Sequence, residues 1–310
     1  MVIAANGGTE NFQLAELPVP AIGPAQVLVR VLATSVNPID IKLRKSGDMG
    51  YGPGSILGFD VAGKIEKVGA AVTEFHPADD VFYCPAFGPP GSYAEFHAAD
   101  AAIVAKKPSR LSWVEAASTP VAASTAYQAL FDRGRLTLGQ SVLIINAAGG
   151  VGSWATQLAH GAGAYVIGVC SGANVALARS LGADHVIDRT SEDVIATVKE
   201  EFPVGVDLVF DCAGHDWVQR CMEVTRPGGK IVTIVNPSGP LSAGYRKNIA
   251  LNYCFLNRSR ATLESISTLI DRGLVKPIIS KVFKLDDIAT AHDCLEQGGG
   301  FGKIAITVGT

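Results

Sequence analysis

The chain has 310 residues, long for one domain and short for three, with 48% apolar and only 18% charged, and a chain this apolar buries enough surface to exclude intrinsic disorder. Lys and Arg number 26 against 29 Asp and Glu, a formal net charge of −3, so no basic footprint for nucleic acid is present. Glycine is in excess at 34 residues without the three-residue period of collagen, which points to tight turns and close backbone approaches.

Short Val- and Ile-rich runs at 26–31, 60–68, 80–83, 93–97 and 102–106, punctuated by Gly, Pro and Asn, predict antiparallel strands of a β-rich domain. Near residue 120 the pattern changes. Strands at 141–145, 165–170, 185–188, 207–212 and 230–235 alternate with helices at 151–161, 174–181, 192–201 (capped by Ser191) and near 216–225. This alternation predicts βαβ crossovers and a parallel sheet. A helix at 263–272 and strands at 281–284 and 304–308 close the chain and are compatible with either domain. The stretch 136–178 lacks Asp, Glu, Lys and Arg, but glycines and polar residues interrupt it, so it reads as a buried βαβ unit and no membrane partner is expected. Six cysteines without C-x-x-C spacing, and a start without a secretory signal pattern, predict buried thiols in a reducing, cytoplasmic setting.

The strongest chemical signal is Ala147-Ala148-Gly149-Gly150-Val151-Gly152, directly after the strand at 141–145 and opening a helix. Gly149 lets a backbone approach a pyrophosphate and Gly152 lets helix and strand pack closely, while Ala147 replaces the first turn glycine. Free amides at the helix start, Ala148 to Gly152, then face two negative charges. A dinucleotide cofactor is expected. The next strand ends at Cys170-Ser171-Gly172-Ala173-Asn174 without the acid that binds a ribose 2′-hydroxyl. Ser171, Asn174 and either Arg179 or Arg189 are available to a 2′-phosphate, so NADPH is expected ahead of NADH.

Asn37-Pro38-Ile39-Asp40, Gly58-Phe59-Asp60-Val61-Ala62-Gly63 with Val68-Gly69, Gly91-Ser92-Tyr93-Ala94-Glu95-Phe96, the 147–152 loop and Leu181-Gly182-Ala183-Asp184 occur here in the order seen in the medium-chain dehydrogenase/reductases. Along essentially its whole length the chain resembles their zinc-independent quinone oxidoreductase and enone reductase branch. The resemblance implies an α/β fold in which a Rossmann doubly wound parallel sheet (120–257) is inserted into a GroES-like β-rich catalytic domain built from 1–119 and 258–310. It also implies a homodimer formed through an edge strand of the inserted domain.

In zinc-dependent relatives a Cys, a His and a Cys hold the catalytic ion at positions that match Asn37, Phe59 and Val121. A phenyl ring and an isopropyl group are not ligands and an amide is a poor substitute for a thiolate, so no zinc is expected. Without that Lewis acid, the accessible chemistry is hydride delivery to an acceptor already electron-poor, a quinone or an α,β-unsaturated carbonyl. The resemblance places Asn37 and Thr125 near the nicotinamide, Thr125 bonding its carboxamide. It adds Cys212, Asn236 and Lys303 as further cofactor contacts, Lys303 reaching a phosphate or remaining solvated, and puts Arg189 where a tyrosine is common. Tyr51, expected on a loop at 44–52, is the candidate proton donor, with a loop anchor and solvent protonation as the alternative. Two other functions fit the same residues: an enoyl-thioester reductase, and a low-turnover NADPH-binding redox sensor.

Overall fold

The computed structural model describes residues 1–298 and 300–309. Contacts divide the chain into two units. Met1–Val121, Asn257–Gly273 and the chain from Pro277 onward form the first, and Ala122–Leu256 with Leu274–Lys276 the second.

The first unit opens with a short antiparallel pair, β1 (Val2–Ile3) and β2 (Phe12–Gln13). Its sheet is organised around β3 (Gln26–Val36), a Val-rich strand buried along most of its length. β-Branched residues in such runs fit a pleated, packed surface. β4 (Val61–Val68), β5 (Asp80–Tyr83), β6 (Phe96–Asp100) and β7 (Ala105–Lys106) extend the sheet antiparallel, with β4 and β6 both pairing to β3. Between β3 and β4 lies α1 (Pro38–Ser46), started by Pro38 and ended by Gly47, whose φ of 73° and N–H bond to the Leu43 carbonyl stop the helix. The expected loop at 44–52 therefore begins later. Arg44 is inside α1 and buried, its guanidinium donating to the Gly7 carbonyl and Glu296. α2 (Trp113–Ala117) follows, capped by the Ser112 hydroxyl, and then α3 (Pro120–Tyr127), which belongs to the second unit from Ala122 on.

The second unit is a six-stranded parallel sheet of β8 (Ser141–Ile145), β9 (Tyr165–Cys170), β10 (His185–Asp188), β11 (Val206–Asp211), β12 (Thr225–Thr233) and β13 (Ala250–Tyr253) in spatial order β10-β9-β8-β11-β12-β13. The chain starts mid-sheet, winds out to β10, and returns to β11 on the other side of β8, so the strand order reverses between β8 and β11. Open parallel sheets bind ligands beyond the carboxyl ends of the strands at such a reversal. Crossovers run through α4 (Gly150–Gly161), α5 (Val175–Ser180), α6 (Val194–Glu201), α7 (Trp217–Cys221) and α8 (Ser242–Arg246). Leu143, Ile145, Ile167, Val169, Val209 and Ile231 form the core of the sheet.

Two boundaries differ from expectation for local reasons. α6 is capped by Asp193, whose carboxylate accepts the Ile195 and Ala196 amides, while the Ser191 hydroxyl goes to Asp188. β12 begins at Thr225 because Pro227-Gly228-Gly229, which reads as a turn, is absorbed by a register shift against β11.

The closing segment holds α9 (Arg260–Asp271), β14 (Ile279–Lys284), α10 (Ile288–Glu296) and β15 (Lys303–Thr307). β15 runs antiparallel to β3, so these strands belong to the first sheet. The expected doubly wound parallel sheet inserted into a β-rich unit is what the structure shows. Among the described residues no helix is long and apolar enough to cross a membrane.

Two histidines are interior to the first unit. The Tyr83 hydroxyl pairs with His97 Nδ1 at 2.9 Å, and the Tyr93 hydroxyl with His292 Nε2 at 3.1 Å. Burial pushes His97 down to about 4, and burial plus the Arg44 charge push His292 down to about 3, from 6.5. Depressed histidines contribute stability that is present above pH 6.5 and lost as pH falls through these values. Replacing His292 with phenylalanine is therefore expected to flatten the acid limb of stability by up to about 1.4 kcal/mol per pH unit below pH 6. Urea unfolding of both proteins at stepped pH measures the difference, and parallel curves would contradict it.

Candidate functional site

At the end of β8 the chain turns through Asn146, at a φ of 64°, into α4. Gly149 is the N-cap with extended backbone (φ −74°, ψ 179°), and no side chain caps the helix. The first bond of the helix runs from the Ser153 amide to the Gly149 carbonyl at 2.9 Å, leaving the amides of Gly150, Val151 and Gly152 at the open end. A β-carbon on Gly152 would lie 2.0 Å from the Asn146 carbonyl oxygen, so the loop packs against the helix at a spacing only glycine permits. The Thr156 hydroxyl fixes this arrangement by donating to the Gly152 carbonyl at 2.9 Å. Bare amides, the positive helix end and the strand-order reversal coincide here, and together they fit a pyrophosphate.

The neighbouring end of β9 carries Ser171 and a single turn over Gly172–Asn174, with Asn174 Nδ2 donating to the Ser171 hydroxyl at 3.2 Å. The parallel register sets Asp188 of β10 opposite Cys170. The sequence reading missed this acid. Its carboxylate accepts the Thr190 amide (2.9 Å), the Thr190 hydroxyl (2.6 Å), the Ser191 hydroxyl (3.0 Å) and the Gly172 backbone amide. Bonds from Thr190 foremost hold its carboxyl below the usual range. Asp188 thus ties the turn together. Of the two candidate arginines, Arg189 is exposed beside β9. Its amide donates to the Cys170 carbonyl at 3.0 Å, and its charge opposes the upward shift that burial gives the Cys170 thiol. Arg179 is exposed in the last turn of α5.

The other expected contacts in this unit fall at strand ends or inside a helix. Cys212 follows β11, and Asp211 before it accepts the Ala213 and Gly214 amides at 2.9 Å each and the Thr233 hydroxyl at 2.9 Å. Asn236 lies exposed three residues after β12. Thr125 is buried inside α3.

In the first unit, Asn37 is the N-cap of α1 and sits at the end of β3. Because Ile304 pairs with Val36 across the β3–β15 register, Lys303 comes opposite Asn37. Its buried ammonium donates to the Val36 carbonyl at 3.1 Å, to Asn37 Oδ1 and to Asp60 Oδ2 at 3.3 Å. The expected reach of Lys303 to a phosphate is corrected by this: all three protons are directed inward. Asn37 Nδ2 in turn donates to Asp60 Oδ2 at 2.8 Å, which also accepts the Ser35 hydroxyl at 2.5 Å, while Asp60 Oδ1 accepts the Val121 amide at 2.8 Å. A second buried carboxyl, Asp40, accepts the amides of Asn37 (2.8 Å) and Gly58 (2.9 Å), and burial pushes it up to about 7.

Tyr51 lies fully buried after Asp48–Gly50, edge-on to Phe59 at 5.7 Å. Among the described residues its hydroxyl donates to no acceptor, and burial, followed by the Asp40 charge, pushes its ionisation up to about 12. It is therefore a neutral phenol whose proton is uncommitted among the described residues. Donor chemistry at the matched metal positions does not suit zinc. The Asn37 amide is engaged by Lys303 and Asp60, and Phe59 and Val121 present hydrocarbon. Among the described residues no group of three His, Cys, Asp or Glu side chains is arranged to hold a metal ion.

Residues 23–109 match the family model of the alcohol dehydrogenase GroES-like domain, and residues 181–306 that of zinc-binding dehydrogenase. A zinc-type alcohol dehydrogenase-like protein of Staphylococcus aureus is 35% identical over 96% of this chain and 95% of its own. The NADPH-dependent alkenal/one oxidoreductase of Arabidopsis thaliana chloroplasts is 34% identical over 97% of this chain and 77% of its own. The structure of the quinone oxidoreductase from Coxiella burnetii superposes with a TM-score of 0.92 at 30% identity, covering 99% and 98% of the two chains. On sequence, motifs and fold alike, the chain belongs to the medium-chain dehydrogenase/reductase superfamily of oxidoreductases, in its quinone oxidoreductase and enone reductase branch.

Proposed function

We propose that the chain is an NADPH-dependent reductase of quinones and α,β-unsaturated carbonyls that operates without zinc, and that it acts as a homodimer paired through the exposed edge strand β13. The observation that carries the reading is the uncapped start of α4, closed to any side chain at Gly152 and open to a pyrophosphate. The names of the alkenal/one and quinone oxidoreductase relatives support the acceptor class.

A bound dihydronicotinamide supplies the hydride. The amides of Gly150, Val151 and Gly152, with the backbone from Ala148 and Gly149, bind the pyrophosphate. Ser171, Asn174 and Arg189 hold the 2′-phosphate, and Thr125 orients the carboxamide. Cys212 and Asn236 border the nucleotide at the ends of their strands. Asn37 and Tyr51 donate hydrogen bonds to the carbonyl oxygen of the acceptor as negative charge develops there. With its ionisation near 12, Tyr51 keeps its proton at neutral pH and acts as a neutral hydrogen-bond donor; the product takes its proton from solvent.

Steady NADPH oxidation with a simple quinone and a short enone is the direct test. Calorimetry showing no affinity for either pyridine nucleotide would overturn the reading, and a stoichiometric ion on which activity depends would overturn its zinc-free part. Arg189→Ala is expected to weaken NADPH about tenfold, since a charge-assisted phosphate contact contributes about 1.5 kcal/mol, and to leave NADH unchanged. Titrating both nucleotides decides this, and equal losses would remove Arg189 from the 2′-phosphate.

A further inference from the structure

Lys303, Asp60 and Asn37 form a buried, directional chain that the reduction chemistry alone does not explain. Asn37 Oδ1 accepts from the Lys303 ammonium, and its Nδ2 donates to the Asp60 carboxylate. Flipping the amide would set Nδ2 against the ammonium and Oδ1 against the carboxylate, donor on donor and acceptor on acceptor. Its orientation is therefore fixed by charge on both sides. One Nδ2 proton is committed to Asp60, and the other has no partner among the described residues. Nearly every buried polar group is satisfied by protein, water or ligand, so an unused donor on an amide this constrained asks for an occupant.

We propose that Lys303 is a positioning residue that polarises the Asn37 amide, so that its one uncommitted Nδ2–H becomes the donor to the acceptor's carbonyl oxygen. The assignment rests on the reading of the chain as a carbonyl-acceptor reductase. A cation at Oδ1 draws electron density from the amide nitrogen and favours the charge-separated resonance form. Both N–H bonds become stronger donors, and rotation about the C–N bond becomes stiffer. Asp60 fixes the direction by taking the other proton, and Lys303 keeps the carboxylate neutralised so that the pair presents no net charge to an anionic product. Ser35 and Val121 hold Asp60 from its remaining sides at 2.5 and 2.8 Å, so the pair is braced by strand β3 and the start of α3.

The test compares wild type with Lys303→Met, Lys303→Gln and Lys303→Arg. In ligand-free protein the Asn37 side-chain amide is followed by nitrogen–proton NMR, assigned by its loss in Asn37→Ser. Its protons are expected to lie downfield in wild type, to move upfield in the Met and Gln variants, and to return in the Arg variant. In turnover, a quinone and a short enone are compared, because the reduced enone is the more basic oxyanion and leans harder on the donor. Removing one such donor slows turnover by about 10²- to 10³-fold. Lys303→Met weakens that donor without removing it, so it is expected to slow the enone by less than that range, to slow the quinone clearly less again, to change KM little, and to be partly rescued by Lys303→Arg. Equal losses for both acceptors, or an unmoved amide signal, would overturn the proposal. Absence of wild-type turnover with either acceptor would instead remove the reductase reading, and the NMR comparison would still decide whether Lys303 polarises Asn37.

Discussion

In a Gly152→Ala variant, affinity for a pyridine nucleotide is expected to fall by at least a hundredfold. The new β-carbon would stand 2.0 Å from the Asn146 carbonyl oxygen, 2.8 Å from its carbon and 2.9 Å from the Ala147 α-carbon. All three are backbone atoms, so no side chain can rotate out of the way and the turn between β8 and α4 must open. Overpacking of this kind costs about 1–3 kcal/mol. The larger effect is on binding, because the amides of Gly150 to Gly152 move with the turn, and a displacement of about 1 Å is enough to cost ~10²-fold at a positioned site. Gly161, at the far end of the same helix, is the control. A β-carbon there meets nothing within 4 Å, so Gly161→Ala is expected to stabilise the protein by about 0.5–1 kcal/mol and to leave affinity unchanged. Calorimetric titration with thermal unfolding separates the two effects, and wild-type affinity in the Gly152 variant would refute the phosphate loop.

What could be read from the sequence was what is local or periodic. β8 to β10 came out to the residue because their apolar runs end at the first polar residues of a turn, Asn146, Ser171 and Asp188, and the loop at 147–152 came out because its flanks are a strand and a helix. α1 was passed over because Pro-Ile-Asp-Ile-Lys-Leu-Arg-Lys-Ser carries little apolar periodicity. That helix is defined by its ends, Pro38 and Gly47, and by the burial of Arg44 through partners far away in sequence. Asp188 was missed because the search for a ribose acid follows one strand, whereas this acid arrives from the next strand through the parallel register. Lys303 was read as solvent- or phosphate-facing because nothing near it in sequence is acidic. Only the antiparallel register of β15 on β3 brings it to Asn37 and Asp60, 266 and 243 residues away. Long-range register of this kind is invisible until the sheet is known.

Asp60→Ala is expected to destabilise the protein by about 3–5 kcal/mol, the usual consequence of leaving a buried charge without its counter-ion. Lys303 would retain only the Val36 carbonyl and Asn37 Oδ1, both neutral, and the Ser35 hydroxyl and Val121 amide would lose their acceptor. Lys303→Met should cost less, because Asp60 keeps three donors, from Ser35, Asn37 and Val121. The double variant is expected to be more stable than Asp60→Ala alone, since removing both ions removes the uncompensated charge, and buried pairs replaced as a unit are often close to neutral in stability. Urea unfolding of the four proteins closes the cycle. Strict additivity of the two single losses would show that the pair does not act as a unit. Turnover with an enone is expected to stay low in the double variant even as stability recovers, because an Asn37 amide freed from both ions can flip. Recovery of turnover together with stability would reduce the pair to a structural contact and leave Asn37 to orient itself.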